Sequence, residues 1–152
     1  MIKINVFVKD KTWFKFIKNP DIYLKRKIKK IENEKIFRKK KYSFSVKLSN
    51  SGEIKVLNSK FRKKKKSTDI LSFPNQTKKK LKMFIKLNQE IYLGDIIINF
   101  RKINNSSKIL FREHFDKLWI HGLVHLFGHD HKKDSSYKKM RAIEKKLFKK
   151  LN

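Results

Sequence analysis

Four of the chain's five histidines fall within residues 121–131, which read HGLVHLFGHDH; the fifth, His114, lies seven residues before His121. Imidazole is the commonest protein ligand for a catalytic metal, so this clustering points first to a metal centre. His121 and His125 are four residues apart, which on a helix places them on one face about 6 Å apart along the axis. Both rings can then reach one cation. Gly128 is positioned to end that helix, and His131 can swing back as a third ligand. Three neutral ring nitrogens leave one tetrahedral position of Zn²⁺ open for water, which marks a catalytic rather than a closed structural site. Such an ion lowers the pKa of its water toward about 7. An H-x3-H-x5-H spacing broken by glycine is hard to reconcile with three separate core histidines. Asp130 is expected either to accept a hydrogen bond from a ligand imidazole, fixing its tautomer, or to cap the turn.

The same string also carries the H-x-x-x-H-x-x-G-x-x-H spacing of metzincin proteases. Those enzymes place a glutamate directly after the first histidine as general base. Here that position is Gly122. A protease built on this ligand set lacks its usual base, although the metal site itself is untouched.

The chain of 152 residues is long enough to bury a real core and is read as one domain spanning residues 1–152. Its 42 Lys and Arg against 13 Asp and Glu give a net charge of +29. A phosphate-rich partner such as RNA, DNA or a ribosomal surface would account for this excess. So would compositional bias, since Lys, Ile, Asn and Phe are all abundant. Against that background His114 and His129 read either as outer-sphere or RNA-facing groups, or as exposed and capping residues. There is no cysteine, which excludes disulfides and thiolate metal sites. No signal-peptide run opens the chain, and no segment approaches the roughly 20 apolar residues of a membrane helix. A cytoplasmic protein is expected.

Several elements must position the histidines. Ile2, Ile4, Val6 and Val8 alternate as one face of a strand, as do Tyr42, Phe44, Val46 and Leu48. Asn19-Pro20-Asp21 reads as a helix start. Asn50 with Glu53 suggests a capping box before Ile54, Leu57 and Phe61, which share a helical face. Residues 68–73 and 90–100 read as strands, the second with Ile96, Ile97 and Ile98 buried on both faces. Residues 115–127 are apolar nearly all round, as in a central helix. A last helix is expected from about Ser136, with Met140, Ile143, Leu147 and Leu151 on one side. Lys63, Lys64, Lys65 and Lys66, and likewise Lys78, Lys79 and Lys80, form basic runs expected in loops. The total is an α+β domain with a small mixed sheet covered by helices.

With these residues in view, HGLVHLFGHDH resembles the HGxLHLxGyDH signature of the YbeY endoribonuclease, or rRNA maturation factor, family. Leu57-Asn58 with Phe61-Arg62 is similar to the family's LN..yR, and Thr68 through Pro74 (TDILSFP) to its TDVLSFP. Leu93-Gly94-Asp95-Ile96 is similar to its LGDI strand, and Met140 with Glu144 to its C-terminal helix. The segments occur in order over residues 44–147. Val124 and His129 depart from the pattern, between ligands rather than at them. The resemblance implies a metal-dependent endoribonuclease specific for single strands, acting on the 3′ end of small-subunit 16S rRNA and in ribosome quality control. It implies one Zn²⁺ per chain on His121, His125 and His131, and maps the family's arginine onto Arg62. It also implies a sheet with helices on one side.

On that reading Arg62, permanently charged and able to grip phosphate bidentately, stabilises the transition state. Lys63, Lys64, Lys65 and Lys66 bind the RNA backbone, with ribosomal proteins as further partners. Two alternatives are carried: a metzincin-like protease without its glutamate, and a ribosome binder in which the metal only braces the fold.

Overall fold

The computed structural model describes all 152 residues. Strand β1 (Ile2–Val8) opens the chain, and a 3-10 turn (Lys11–Lys15) leads to helix α1 (Pro20–Ile31). Asn19 caps α1 by accepting from the Ile22 amide, with proline in the first turn, as the sequence predicts. After a second 3-10 turn (Lys35–Phe37) come β2 (Tyr42–Ser49), α2 (Ser51–Arg62), β3 (Ile70–Pro74) and α3 (Lys78–Phe84). Strand β4 (Ile91–Asn99), helix α4 (Lys108–Leu126) and helix α5 (Asp134–Leu151) complete the chain.

The four strands form one mixed sheet in the order β1-β2-β4-β3. The β1–β2 and β2–β4 pairs are parallel, while β3 runs antiparallel to β4. The α+β class therefore holds, but helices cover both faces. Along β4, Ile96 and Ile98 join the main core with α1, α4 and α5, while Ile97 turns to the other side. There it meets Ile54 of α2 and Leu71 of β3 in a small second cluster. The expectation that these isoleucines are buried on both faces is met by this alternation.

The boundaries differ from expectation in instructive places. Helix α4 starts at Lys108, about two turns before residue 115, because Ser107 caps it by accepting from the Leu110 amide. Its first turn keeps Ile109 and Leu110 exposed, so the all-round apolar pattern begins only later. Lys78, Lys79 and Lys80 are not loop residues but the first turn of α3, which Thr77 caps through the Lys80 amide. The Asn50 cap forms, whereas Glu53 turns away from it to bind Lys47 and Ser49, so the box is only half made.

Candidate metal centre and RNA groove

Helix α4 is seated on the sheet by a close approach at Gly122. A Cβ there would lie 2.9 Å from Ile70 Cδ1 and 3.0 Å from Ile96 Cγ2. The position after the first histidine thus faces the β3–β4 surface, with no room for a glutamate. Two residues on either side of that contact leave the core: His121 and His125, both half-buried, emerge at the helix edge.

The helix ends where Gly128 adopts φ +84°, a left-handed conformation that glycine takes without strain. Its amide donates to His125 O (2.9 Å) and the His129 amide to Val124 O (3.4 Å), which is the Schellman pattern. This reversal brings His131 back to its partners, with ring centroids 5.7 Å from His121 and 5.1 Å from His125. One ligand nitrogen from each of the three rings lies within 4.8 Å of the others.

The hydrogen bonds fix the tautomers. His121 Nδ1 is 2.6 Å from Glu144 Oε1, and His125 Nδ1 is 2.9 Å from the carbonyl of His129. A carbonyl can only accept, as can an ionised carboxylate, so each Nδ1 carries the proton and each Nε2 is bare. The two Nε2 atoms face each other at 3.0 Å. Two lone pairs at that distance call for a cation between them, and two nitrogens on a tetrahedral zinc would stand ~3.3 Å apart. Burial, reinforced by the adjacent His121 and His131 rings, pushes the His125 imidazole below its ordinary range, which favours the neutral, metal-binding form. Burial alone would raise Glu144, but the hydrogen bond from His121, helped by the nearby Arg141 cation, outweighs it and keeps the carboxylate ionised. The donor set fits a divalent ion.

Asp130 takes the second of its two expected roles. It accepts from the Lys132 amide (3.1 Å) and Ser136 Oγ (3.0 Å), closing the turn onto α5 and touching no ligand ring. The carboxylate that meets a candidate ligand ring is Glu144, which lies 23 residues from His121. A readable signal existed: an acid one turn beyond Met140, near the apolar stripe of a helix otherwise rich in lysine. His129 contributes its backbone carbonyl, which no sequence pattern reveals. His114 Nδ1 accepts from the Asn104 amide at 3.0 Å, tying the loop before α4 to the helix.

The histidines open into a groove of about 520 Å³ that is also lined by Arg62, Lys64, Lys66 and Lys132. Arg62 ends α2 and reaches across to β3, where Nη2 donates to Ser72 O at 3.0 Å. Its other N–H groups have no protein partner. The following loop is held by buried Asn58, whose Nδ2 donates to Lys66 O (2.8 Å) and whose own carbonyl accepts from the Lys63 and Lys64 amides. Lys63, in the left-handed conformation, caps α2. It and Lys65 do not line the groove, so only two of the four expected lysines face the histidines.

The sequence profile of the family described as Endoribonuclease YbeY matches residues 10–152. The Endoribonuclease YbeY of Pelagibacter ubique is 40% identical over 152 residues, covering 98% of this chain and 95% of its own. That of Ehrlichia canis is 33% identical, covering 99% and 93%. The solution structure of TM1509 from Thermotoga maritima superposes with a TM-score of 0.52 at 26% identity, over 99% of this chain and 89% of that one. The protease and non-enzymatic alternatives give way to these relatives, and the packing at Gly122 supplies the physical reason against the first. The chain belongs to the YbeY endoribonuclease family.

Proposed function

We propose that this endoribonuclease cuts single-stranded RNA in the groove between Arg62 and the three histidines, with one Zn²⁺ per chain on His121, His125 and His131. The observation that carries the reading is the shared groove: a permanently charged guanidinium, a cluster of bare imidazole nitrogens and a basic wall face one space. When bound, zinc supplies a Lewis acid that polarises a phosphoryl oxygen and lowers the pKa of water. The rest is the work of side chains. Glu144 and the His129 carbonyl orient two of the rings and hold their protons on the far nitrogen. Arg62 is itself oriented by Ser72 O and presents its free N–H groups to a phosphate, where charge develops as the diester breaks. Lys64 and Lys66 add backbone attraction that is independent of sequence, with Lys63 and Lys65 contributing at longer range.

The substrate we assign is the 3′ end of small-subunit 16S rRNA, in maturation and in ribosome quality control, with ribosomal proteins as partners in the cytoplasm. The family resemblance supports this assignment, as do the +29 charge and the basic lining of the groove. No helix is long and apolar enough to cross a membrane. The test compares single-stranded and duplex RNA of one sequence under single-turnover conditions, with wild type and Arg62→Ala. The expected result is cleavage of the single strand only, slowed about 10²- to 10³-fold in the variant. Full activity of Arg62→Ala would remove its role.

A further inference from the structure

Beside the groove lies a second cavity, of about 500 Å³, that the cleavage chemistry does not use. It is framed by the turn Lys35–Phe37, the start of β2, helix α3, the turn that follows α4 and the facing part of α5. Its volume falls in the range of small-ligand sites, roughly 300–1,000 Å³. The inner surface is apolar, with Ile36, Ile85, Phe127 and Ile143 only half-covered. The rim carries Lys35, Arg38, Lys78, Lys82 and Lys139, none of them paired with an acid. The single wall carboxylate, Glu34, is already held by Lys146 at 2.8 Å and Lys150 at 3.2 Å.

A second, independent observation concerns Tyr42, which lies in the wall and is 1% exposed. Its hydroxyl is the one buried side-chain polar atom in the chain without a hydrogen-bond partner. Proteins rarely leave such a group unmatched. Its ring meets Phe127 edge to face, with centroids 5.1 Å apart. The cavity also adjoins the groove. His129 lines both, and Lys78 backs directly onto Gly128, where an added Cβ would stand 2.9 Å from Lys78 Cβ.

A partly apolar cavity with an aromatic residue, Phe127, in its wall, an unmatched hydroxyl beside it and unpaired cations at its rim suits one chemical class. That class is a nucleotide: a stacking face, a polar base edge and a phosphate. We infer that this cavity is a subsite holding one unpaired nucleotide of the RNA strand that runs through the adjoining groove. The base lies against Phe127, its edge bonds Tyr42, and its phosphate meets the rim. The hydroxyl is covered in the free protein, so the base reaches it as exposed rim side chains move aside, a rearrangement common on binding. A base held this way must leave its stack, which builds preference for single strands into the fold. The inference rests on the reading of the groove as the place of RNA cleavage.

The test is amide NMR titration of the metal-free full chain, using adenosine monophosphate, a short oligoadenylate and inorganic phosphate as separate probes. Expected are shifts at residues 42, 81, 127 and 143 with both nucleotide probes, competition between them, and none of these shifts with phosphate alone. Tyr42→Phe, which removes only the hydroxyl, should keep or raise the Tm. It should weaken adenosine monophosphate roughly three- to tenfold, the share of one hydrogen bond. In cleavage it should raise KM for single-stranded RNA at unchanged kcat. Lys35→Glu with Lys82→Glu should weaken both nucleotide probes. Absence of nucleotide-induced shifts at the cavity overturns the proposal. So do equal shifts with phosphate alone, which would mark a mere anion patch, or mononucleotide binding that oligoadenylate fails to displace, which would mark a free-nucleotide site. Wild-type affinity in Tyr42→Phe overturns the hydroxyl's role. His125→Ala should lose cleavage yet bind adenosine monophosphate normally, which separates failure of the subsite from failure of the nuclease reading.

Discussion

Helix α4 carries two polar clusters, and they are finished in opposite ways. Near its middle, Asp116 is 2% exposed yet fully matched. It accepts from Tyr23 Oη (3.0 Å), Trp119 Nε1 (2.9 Å) and Lys27 Nζ (2.8 Å). Burial and the adjacent Asp116 carboxylate push the Tyr23 phenol well up, so it stays protonated and keeps donating. One turn and more onward, His121 and His125 each have one matched nitrogen and one bare nitrogen, and the bare ones face each other. The closed cluster pins α1 to α4, while the open one leaves valence for a ligand. In a buried network, what separates scaffold from site is whether every lone pair and proton has a partner.

The largest expected effect comes from the open cluster. His125→Ala should lose metal, read by elemental analysis, and cleavage together, while its unfolding midpoint stays near that of metal-free wild type. Asp116→Ala should do the reverse. Leaving Lys27, Tyr23 and Trp119 without their acceptor costs ~3–5 kcal/mol in chemical denaturation, and the folded fraction should still bind metal and cut RNA. Were Asp116→Ala to lose cleavage without losing stability, the division of labour along α4 would be wrong.

Glu144→Gln sits between the two clusters in size. Metal affinity should fall about 10- to 100-fold, since the ring loses its ionised orienting partner. Because the folded carboxyl titrates below its ordinary value of 4.5, its stabilising contribution is present above that pH and lost as pH falls through the folded value. The Tm difference between metal-free wild type and Glu144→Gln should therefore shrink on acidification; a gap that widens would reverse the sign. The smallest effect is expected at Asp130→Asn, which keeps an acceptor for the Lys132 amide and touches no ligand ring. Its metal affinity should stay within a few-fold of wild type, measured by competition with a chelating dye.

What was legible in the sequence was whatever a local period dictates. His121 and His125 share a face because a helix repeats every 3.6 residues, and Gly128 marks the reversal that returns His131. Glu144 and the His129 carbonyl were not legible in these terms. The first depends on how α5 packs across α4, and the second on a backbone atom that has no residue signature. Arg62 meets the histidines only because α2 lies over β3 and β3 pairs antiparallel with β4 beneath α4. That arrangement is tertiary, and only the family resemblance anticipated it. Helix α3 was hidden because Lys78, Lys79 and Lys80 oppose the positive end of a helix dipole, although the Thr77 cap was there to be read. The one-sided covering of the sheet failed at α2, whose Ile54 and Leu57 had already shown an apolar face in need of a partner.

If the three histidines and the RNA-cutting activity form one site, cleavage must follow metal occupancy. The most direct measurement is single-turnover cleavage of a single-stranded RNA by chelated protein as Zn²⁺ is added back in known amounts. Expected are no cleavage without metal, a rise that saturates at one equivalent per chain, and no recovery in His125→Ala. Cleavage by metal-free protein, or by His125→Ala at the wild-type rate, would contradict a shared site.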